Sequence, residues 1–493
     1  MKQRTKIQRP DRFIFAALLV LLVWLPMPWG SHVPWAKSLL QMLVSALLCS
    51  SLTLMAFGQN HPKALLPQMA MPMMVWLCWI GWIGFQLIEL KPELLNAISP
   101  SVHSLAPSML ELGLSAPSTV SISPSLTIDA LLLTVTYFML YWLVVLTCWQ
   151  QPDRLRSVLG TLVFSGFLQA FYGSLMSLSG LEYGFLVKKT YYIGYATGTF
   201  VNRNHLAGYL ELTTAAGIAL ILADLKTVHA KKTWRESLSD LISLIFSNKF
   251  RTRMALAVMV IGIVLTRSRM GNTAFFISLC MCGLGYIFFR EKRLALKAAL
   301  FFASLVLVDV MIISNWFGLA RVVERIETTE ISTESRVRLY DELPPVVIAY
   351  EKAGSGLGTF ALAYSPFRSA DMRSYMDHAH NDYLEFIIEA GLPGFFILIT
   401  FVAGHALHAL NVIIRRRSRL PAAVCFSTLM ALVAYAIHAT VEFNLQIPAN
   451  AATLSVLLAL CACCSAQSRS RRANKDRAKA GAPLEDEGTS VAV

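Results

Sequence analysis

The sequence predicts an all-α integral membrane protein with about twelve transmembrane helices. Of its 493 residues, 55% are hydrophobic and only 15% are charged, whereas soluble domains usually carry about 25% charged residues. Apolar runs long enough to cross a bilayer recur along most of the chain. Basic residues cluster between these runs rather than inside them. Together these observations indicate a polytopic membrane domain over residues 13–466.

The predicted spans follow one another with short connections in most places and with one large loop between the ninth and the tenth. The twelve apolar runs are at about 13–29, 36–57, 64–89, 126–149, 156–179, 204–224, 253–267, 271–289, 294–314, 383–410, 421–443 and 449–466.

Basic clusters orient these spans. Lys and Arg are concentrated in residues 2–12, 226–253, 290–297, 415–419 and 469–479. With twelve spans, all five clusters fall on one side, which the positive-inside rule makes cytoplasmic. The net charge of +13 is therefore mostly a topology signal, and no nucleic-acid partner is expected.

The same topology divides the polar segments between the two faces. Residues 1–12 form a cytoplasmic N-terminus, and residues 467–493 form a cytoplasmic tail predicted to be disordered. Three loops, at about 90–127, 180–203 and 315–382, lie on the opposite, periplasmic side. The last of these is the loop between the ninth and tenth spans, and it carries most of the polar side chains that could act chemically.

The stretch "DHAHNDYLEFIIEAGLPGFF", residues 377–396, places histidines directly before an apolar run. Asn381 and Asp382 are good N-cap residues, so the next helix is predicted to begin there. His380 would then lie at the positive end of a helix dipole, which disfavours imidazolium and leaves a neutral ring able to accept a proton. The alternative is that these residues only cap a helix, and the sequence leaves open whether His378 or His380 is the base.

Two carboxylates follow on the same predicted helix. Glu385 and Glu389 are one turn apart, so they share a face. Since an unpaired charge in a membrane costs about 2–3 kcal/mol or more, we expect both to face a polar cavity or an arginine.

Arginines supply the opposite charge on the periplasmic side. Arg267 and Arg269 lie in the short connection "LTRSRMGN", Arg336 and Arg338 in "SRVRLY", and Arg203 in "FVNRNHLAG". The planar guanidinium matches phosphate oxygens and stays charged at any physiological pH. The pattern predicts an anionic substrate at the outer membrane boundary, although pairing with lipid headgroups or with loop carboxylates is the structural alternative.

Four motifs, "TGTFVNRNHLAGYLEL", "LTRSRMG", "ESRVRLYDELPPVVIAYEKAGSGLGTFALAY" and "HAHNDYLEFIIEAGLPGFF", resemble the O-antigen ligase and polymerase superfamily of bacterial inner-membrane glycosyltransferases. The resemblance covers roughly residues 160–465. It implies transfer of a saccharide from undecaprenyl diphosphate, on the periplasmic side, to an acceptor. That acceptor is the lipid A-core in ligases of lipopolysaccharide assembly, another lipid-linked repeat in polymerases, and a protein in related oligosaccharyltransferases.

By this resemblance the catalytic residues are His380, Arg336 and Arg269. Tyr340 stands where tryptophan is common in the family, and Met270 interrupts the short Ser-Arg-Gly-like motif. The predicted substrate-binding residues are Arg203, Arg338, Arg267, His378, Asn381 and Glu385.

The chemistry of these side chains and the family resemblance are consistent with one mechanism. Arg269 and Arg336, assisted by Arg203, would neutralise the charge that grows on the departing diphosphate. His380 would take the proton of the acceptor hydroxyl, and a single displacement with inversion would follow because no carboxylate nucleophile is supplied. This mechanism uses no metal and no cofactor.

Two other functions are consistent with the sequence. A polysaccharide-repeat polymerase of the same superfamily would present a similar donor to similar loops, and we favour a ligase-like enzyme over it. A twelve-span anion transporter would place its charge near the bilayer midplane. Here the charge is gathered at one face, which favours an enzyme.

Overall fold

The computed structural model describes residues 9–57, 66–113, 115–224, 248–290, 303, 330–370 and 375–464. Over these ranges the chain is almost entirely α-helical. The strands in the described ranges are β1 (Tyr183–Gly184) and β2 (Val187–Lys188), which pair antiparallel. The predicted all-α class is confirmed.

Sixteen α-helices lie in the described ranges. The first eight are α1 (Arg9–Trp24), α2 (Pro34–Ala56), α3 (Leu66–Phe85), α4 (Pro92–Ile98), α5 (Pro100–His103), α6 (Ala106–Glu111), α7 (Pro124–Cys148) and α8 (Pro152–Ser179). The second eight are α9 (Arg203–Ala223), α10 (Asn248–Thr266), α11 (Arg269–Arg290), α12 (Glu330–Tyr350), α13 (Phe360–Tyr364), α14 (Asp382–Arg415), α15 (Arg419–His438) and α16 (Pro448–Ala462). Short 3-10 turns occupy Trp29–Ser31, Ser365–Phe367 and Asn444–Gln446.

Seven of the described helices are long and apolar enough to cross a membrane, namely α2, α7, α8, α9, α11, α14 and α15. Met69–Phe85 and α16 are shorter apolar helices. The predicted span at 294–314 lies outside the described residues, apart from residue 303. Twelve spans therefore remain a prediction, while a multi-pass helical protein agrees with the seven spans found.

The two ends of the helix bundle differ in chemistry. At the basic end, Arg154 of α8 bonds Asp11 of α1 at 2.5 Å, and Arg156 bonds Asp224, just after α9, at 2.7 Å. Arg290, at the end of α11, donates to backbone carbonyls of residues 413, 417 and 418. At the other end, which we name the site end, α9, α14 and α16 begin and α10 and α15 finish.

Helix α9 lies at the centre of the bundle, and nearly all of its residues are buried. It packs against α8, α10 and α15. It nevertheless carries Glu211, whose Oε1 lies 2.8 Å from Nδ1 of His438 on α15, with both side chains fully buried. Because a buried charge needs a partner, this pair fixes α9 against α15 in one register.

Helix α14 is interrupted at Gly391, which has φ 66° and ψ 174°. The three carbonyls before the interruption lose their partners in the helix and accept other donors. Ile388 O accepts from Ser355 N at 2.9 Å, and Glu389 O accepts from Gly356 N at 3.0 Å. Ala390 O accepts from Trp82 Nε1 at 2.7 Å.

The predicted span at 383–410 lies within α14, one of the seven candidate spans, but the interruption at Gly391 was not predicted. Lipid offers no hydrogen bonds, so a broken helix survives in a membrane only where protein groups replace the lost ones. The glycine-rich turn at 354–358 approaches closely enough to do so, because a Cβ on Gly354 would lie 2.1 Å from Glu389 O. The 382–390 segment is thereby separated from the 392–415 segment and is held by the 354–358 turn.

We expect Gly391→Ala to lower the free energy of unfolding by about 1–3 kcal/mol, because its backbone conformation is nearly exclusive to glycine. The new Cβ would also lie 2.8 Å from Gly354 N. The matched control is Gly404→Ala on the same helix, where nothing lies within 4 Å of the new Cβ and alanine is the better helix former by about 1 kcal/mol. Thermal unfolding of the purified protein should give a lower midpoint for the first variant only; equal midpoints would contradict the assigned break.

Candidate functional site

Three histidines meet one phenylalanine at the site end. The ring of His378 stacks on Phe443 with centroids 4.1 Å apart and an interplanar angle of 16°. His380 meets the same ring edge-on at 4.9 Å, and His205 of α9 does so at 4.7 Å. Phe443 lies in the turn after α15. The segment before α14 and the start of α9 therefore both contact this turn.

His378 forms the strongest contact of the stretch. Its Nδ1 lies 2.7 Å from Glu385 Oε1, while Glu385 Oε2 accepts from Ala379 N at 2.9 Å. Burial alone would lower the pKa of His378, but the Glu385 carboxylate beside it outweighs this effect and raises the pKa to about 9. His378 is therefore a cation at neutral pH.

The two glutamates expected to face a polar cavity or an arginine are almost fully buried. Among the described residues, Glu385 contacts a histidine, and Glu389 Oε1 accepts from the backbone N–H of Phe360 at 3.0 Å. A histidine ring and a backbone donor therefore contact these carboxyl groups.

His380 is held by its backbone, and its side chain is 17% exposed. Its φ is +48°, a conformation that non-glycine residues seldom adopt and that often marks functional sites. Its carbonyl accepts from Tyr340 OH at 2.8 Å. Asn381 then caps α14 by accepting from Leu384 N at 3.1 Å, which confirms the predicted helix start.

Glu442 is a site residue that the sequence interpretation missed. Its Oε2 lies 3.6 Å from His380 Nδ1, and its side chain is 2% exposed. Its Oε1 accepts from Asn204 Nδ2, and Asn204 is itself placed by the N-cap Asn202, whose side chain accepts from Asn204 N at 2.9 Å. The sequence did show this carboxylate at the end of the predicted span 421–443, and an ionisable side chain within a span often marks a functional site.

Arg203 and Arg267 are brought together on one aromatic ring. The guanidinium carbon of Arg203 lies 4.3 Å from the centroid of Tyr195, and that of Arg267 lies 5.3 Å from the same centroid. Arg203 also reaches Tyr192 at 5.7 Å. Such contacts hold a guanidinium over an aromatic face, so Tyr195 brings the two arginines together.

Arg269 is the exposed first residue of α11. Ser268 caps the helix, since its Oγ accepts from Gly271 N at 3.1 Å, and a Cβ on Gly271 would lie 2.6 Å from Ala207 of α9. The turn between α10 and α11 therefore forms although Met270 interrupts the Ser-Arg-Gly-like motif. Gly271, the residue after Met270, lets α11 lie close to α9.

The remaining two predicted arginines belong to α12. Arg338 is exposed, and it is two residues from the Tyr340 that bonds His380. Arg336 lies in α12, one helical turn before Tyr340, but its side chain is outside the described residues. Within the described ranges, no three His, Cys, Asp or Glu side chains are arranged to hold a metal ion.

The fold and this site define a class: a multi-pass helical membrane protein that gathers arginines and histidines at one end of its bundle. The sequence model of one family, described as O-antigen ligase, matches residues 254–399. This match supports membership of the O-antigen ligase superfamily and confirms the resemblance stated from the motifs. The matched range contains every predicted site residue except Arg203. No curated protein matches the chain.

The His378–Glu385 pair should make stability depend on pH. Because the pKa of His378 is raised from 6.5 to about 9 in the folded protein, its contribution is complete below about pH 6.5 and is lost as pH rises through about 9. Glu385→Gln should therefore destabilise the protein by about 1.5–3 kcal/mol at pH 6.5, where a charged hydrogen bond is lost, and by much less above pH 9.

Unfolding midpoints of the native protein and of Glu385→Gln, measured at both pH values, check this expectation. Glu93→Gln, at an exposed position of α4, serves as the control and should show no such change. A Glu385→Gln deficit of the same size at both pH values would contradict the ion pair.

Proposed function

We propose that this protein is a membrane glycosyltransferase of the O-antigen ligase type, which moves a glycan from undecaprenyl diphosphate to an acceptor hydroxyl on the periplasmic side. The observation that carries the proposal is the contact of His380 with Glu442, at the same end of the bundle at which α9 and α11 begin with Arg203 and Arg269. The match of residues 254–399 to the O-antigen ligase family supports it.

His380 serves as the general base in this proposal. The acceptor oxygen attacks the anomeric carbon while its proton passes to the His380 ring, and Glu442, 3.6 Å from Nδ1, stabilises the imidazolium that forms. A distance longer than a hydrogen bond is common before substrate binds. His378 is less suited to this role because its pKa of about 9 leaves it already protonated.

The leaving group is the polyprenyl diphosphate. As the bond between the anomeric carbon and the diphosphate oxygen breaks, its electron pair stays on that oxygen, and fixed positive charge stabilises it. Arg203 and Arg267 on Tyr195, the exposed Arg269, and the His378 imidazolium supply such charge. Helix α12 carries Arg336 and Arg338. The hydrogen bond from Tyr340 OH to His380 O connects this helix to the segment that holds the proposed base. A single displacement inverts the anomeric centre.

The distribution of basic residues supports the proposed orientation. Arg154, Arg156, Arg290 and residues 415–419 lie at the end of the bundle opposite to His380. By the positive-inside rule that end faces the cytoplasm, so the site end faces the periplasm of a bacterial inner membrane. A lipid-linked donor would reach it from the bilayer.

Replacing the base tests the proposal directly. His380→Gln should lower kcat for glycan transfer by about 10²–10⁴-fold, the usual contribution of a general base, in a reconstituted assay with a lipid-linked donor. His408→Gln, in the part of α14 near the basic end, where its Nε2 lies 2.8 Å from Cys464 O, should retain full activity. Full activity of His380→Gln would show that another group accepts the proton.

Glu442→Gln tests the positioning role separately. The amide keeps the size of the side chain but removes the charge that stabilises an imidazolium, so kcat should fall by about 10–100-fold with little change in the donor KM. The thermal unfolding midpoint reports folding in the same samples. A large rise of KM at constant kcat would instead place Glu442 in substrate binding.

A further inference from the structure

The segment between α8 and α9 buries one ion pair and turns most of its large apolar side chains outward, beside the exposed Lys188. Lys189 and Glu182 form an ion pair with side chains only 7% and 8% exposed. Glu182 Oε1 also accepts from Gly194 N at 2.7 Å. Its large apolar side chains are instead turned outward: Leu181 53%, Leu186 83%, Val187 56%, Tyr191 76% and Ile193 57% exposed.

Several contacts hold this segment in place. The strands β1 and β2 form a hairpin, and the ring of Phe185 packs edge-on against Trp29 at 5.2 Å. The buried Lys189 Nζ donates to the carbonyl of Tyr195 at 2.8 Å. A soluble protein rarely exposes so many contiguous apolar groups over a buried ion pair, so a non-aqueous partner is indicated.

The outward face of the hairpin continues the lipid-facing face of α8. Exposed apolar residues recur along that candidate span at helical spacing: Phe164, Phe171, Leu175 and Leu178. Leu181 follows three residues after Leu178, so exposed apolar side chains continue from α8 into the hairpin, with Ser179 and Gly180 between them. Tyr191 adds the amphipathic ring that favours the membrane interface.

We propose that residues 181–193 are a lipid-docking element, which inserts Leu186, Tyr191 and Ile193 among the acyl chains and headgroups at the membrane boundary of the site end. The partner is the bilayer itself. Because Lys189 ties the hairpin to Tyr195, and Tyr195 supports Arg203 and Arg267, docking sets the height of these arginines above the lipid. This second consequence rests on the proposed function, since it concerns a lipid-borne diphosphate.

Lipid contact is tested on the full-length protein in nanodiscs. The exposed native cysteines Cys49, Cys78 and Cys280 are first replaced by alanine, and Leu186→Cys is labelled with an environment-sensitive fluorophore. Ser369→Cys, exposed in the polar stretch after α13, is the matched water-facing control. Nitroxide-bearing phospholipids should quench the label at 186 at least about threefold more than the label at 369. Equal quenching by lipid, or stronger quenching at 186 by an aqueous quencher, would overturn the proposal.

The coupling to the arginines is tested by Leu186→Asp, which opposes insertion of the hairpin. The KM for a lipid-linked donor should rise at least about threefold at an unchanged unfolding midpoint, while Leu186→Ile should behave as the native protein. An unchanged KM would overturn the coupling. If the native protein transferred no glycan at all, the proposed function would fail, and the quenching measurement would still decide whether the hairpin docks on lipid.

Discussion

Backbone hydrogen bonding at the break in α14 is the constraint on which the rest of the site depends. An apolar helix can stop inside a membrane protein only where other donors reach its last carbonyls. Here Ser355, Gly356 and Trp82 supply these donors, and Gln86 Nε2 adds a second donor to Glu389 O at 2.8 Å. The 382–390 segment is thereby fixed at its C-terminal end.

Its N-terminal end is fixed as well, by the turn that follows α15. Asp382 N donates to Ala439 O at 3.0 Å, and Asp382 Oδ2 accepts from Leu445 N at 3.3 Å. With both ends held, the chain just before α14 has little freedom, and His380 adopts its positive φ. Both histidine rings are then directed onto Phe443.

The electrostatics of the site follow from the same burial. Three of the buried carboxyl groups have a side-chain partner nearby: Glu385 has His378, Glu442 has Asn204 and His380, and Glu211 has His438. Arg203 and Arg267 instead lie over the ring of Tyr195, and Arg269 is exposed at the start of α11. A guanidinium stays charged in each of these positions. That positive charge suits the proposed diphosphate donor.

Sequence patterns predicted those features that depend on local chemistry. The all-α class follows from apolar runs, and the start of α14 follows from Asn381 as an N-cap. The break at Gly391 was not predicted, because "EAGLPGFF" reads as part of one apolar run and the donors that permit the break lie more than thirty residues away. Glu442 and Tyr195 were missed for a similar reason: the contact of Glu442 with His380 and that of Tyr195 with Arg267 each join residues more than sixty positions apart. Arg336 illustrates the opposite case, since the family resemblance indicates its role, while its side chain lies beyond the described residues.

An experimental structure in a lipid nanodisc with undecaprenyl diphosphate bound would measure where the anionic headgroup lies. We expect the diphosphate within hydrogen-bonding distance of Arg203 or Arg267 beside Tyr195, with His380 facing the open side of the headgroup and the lipid chain leaving towards the bilayer. A diphosphate found at the basic end, near Arg154 or Arg290, would contradict the assignment of the site.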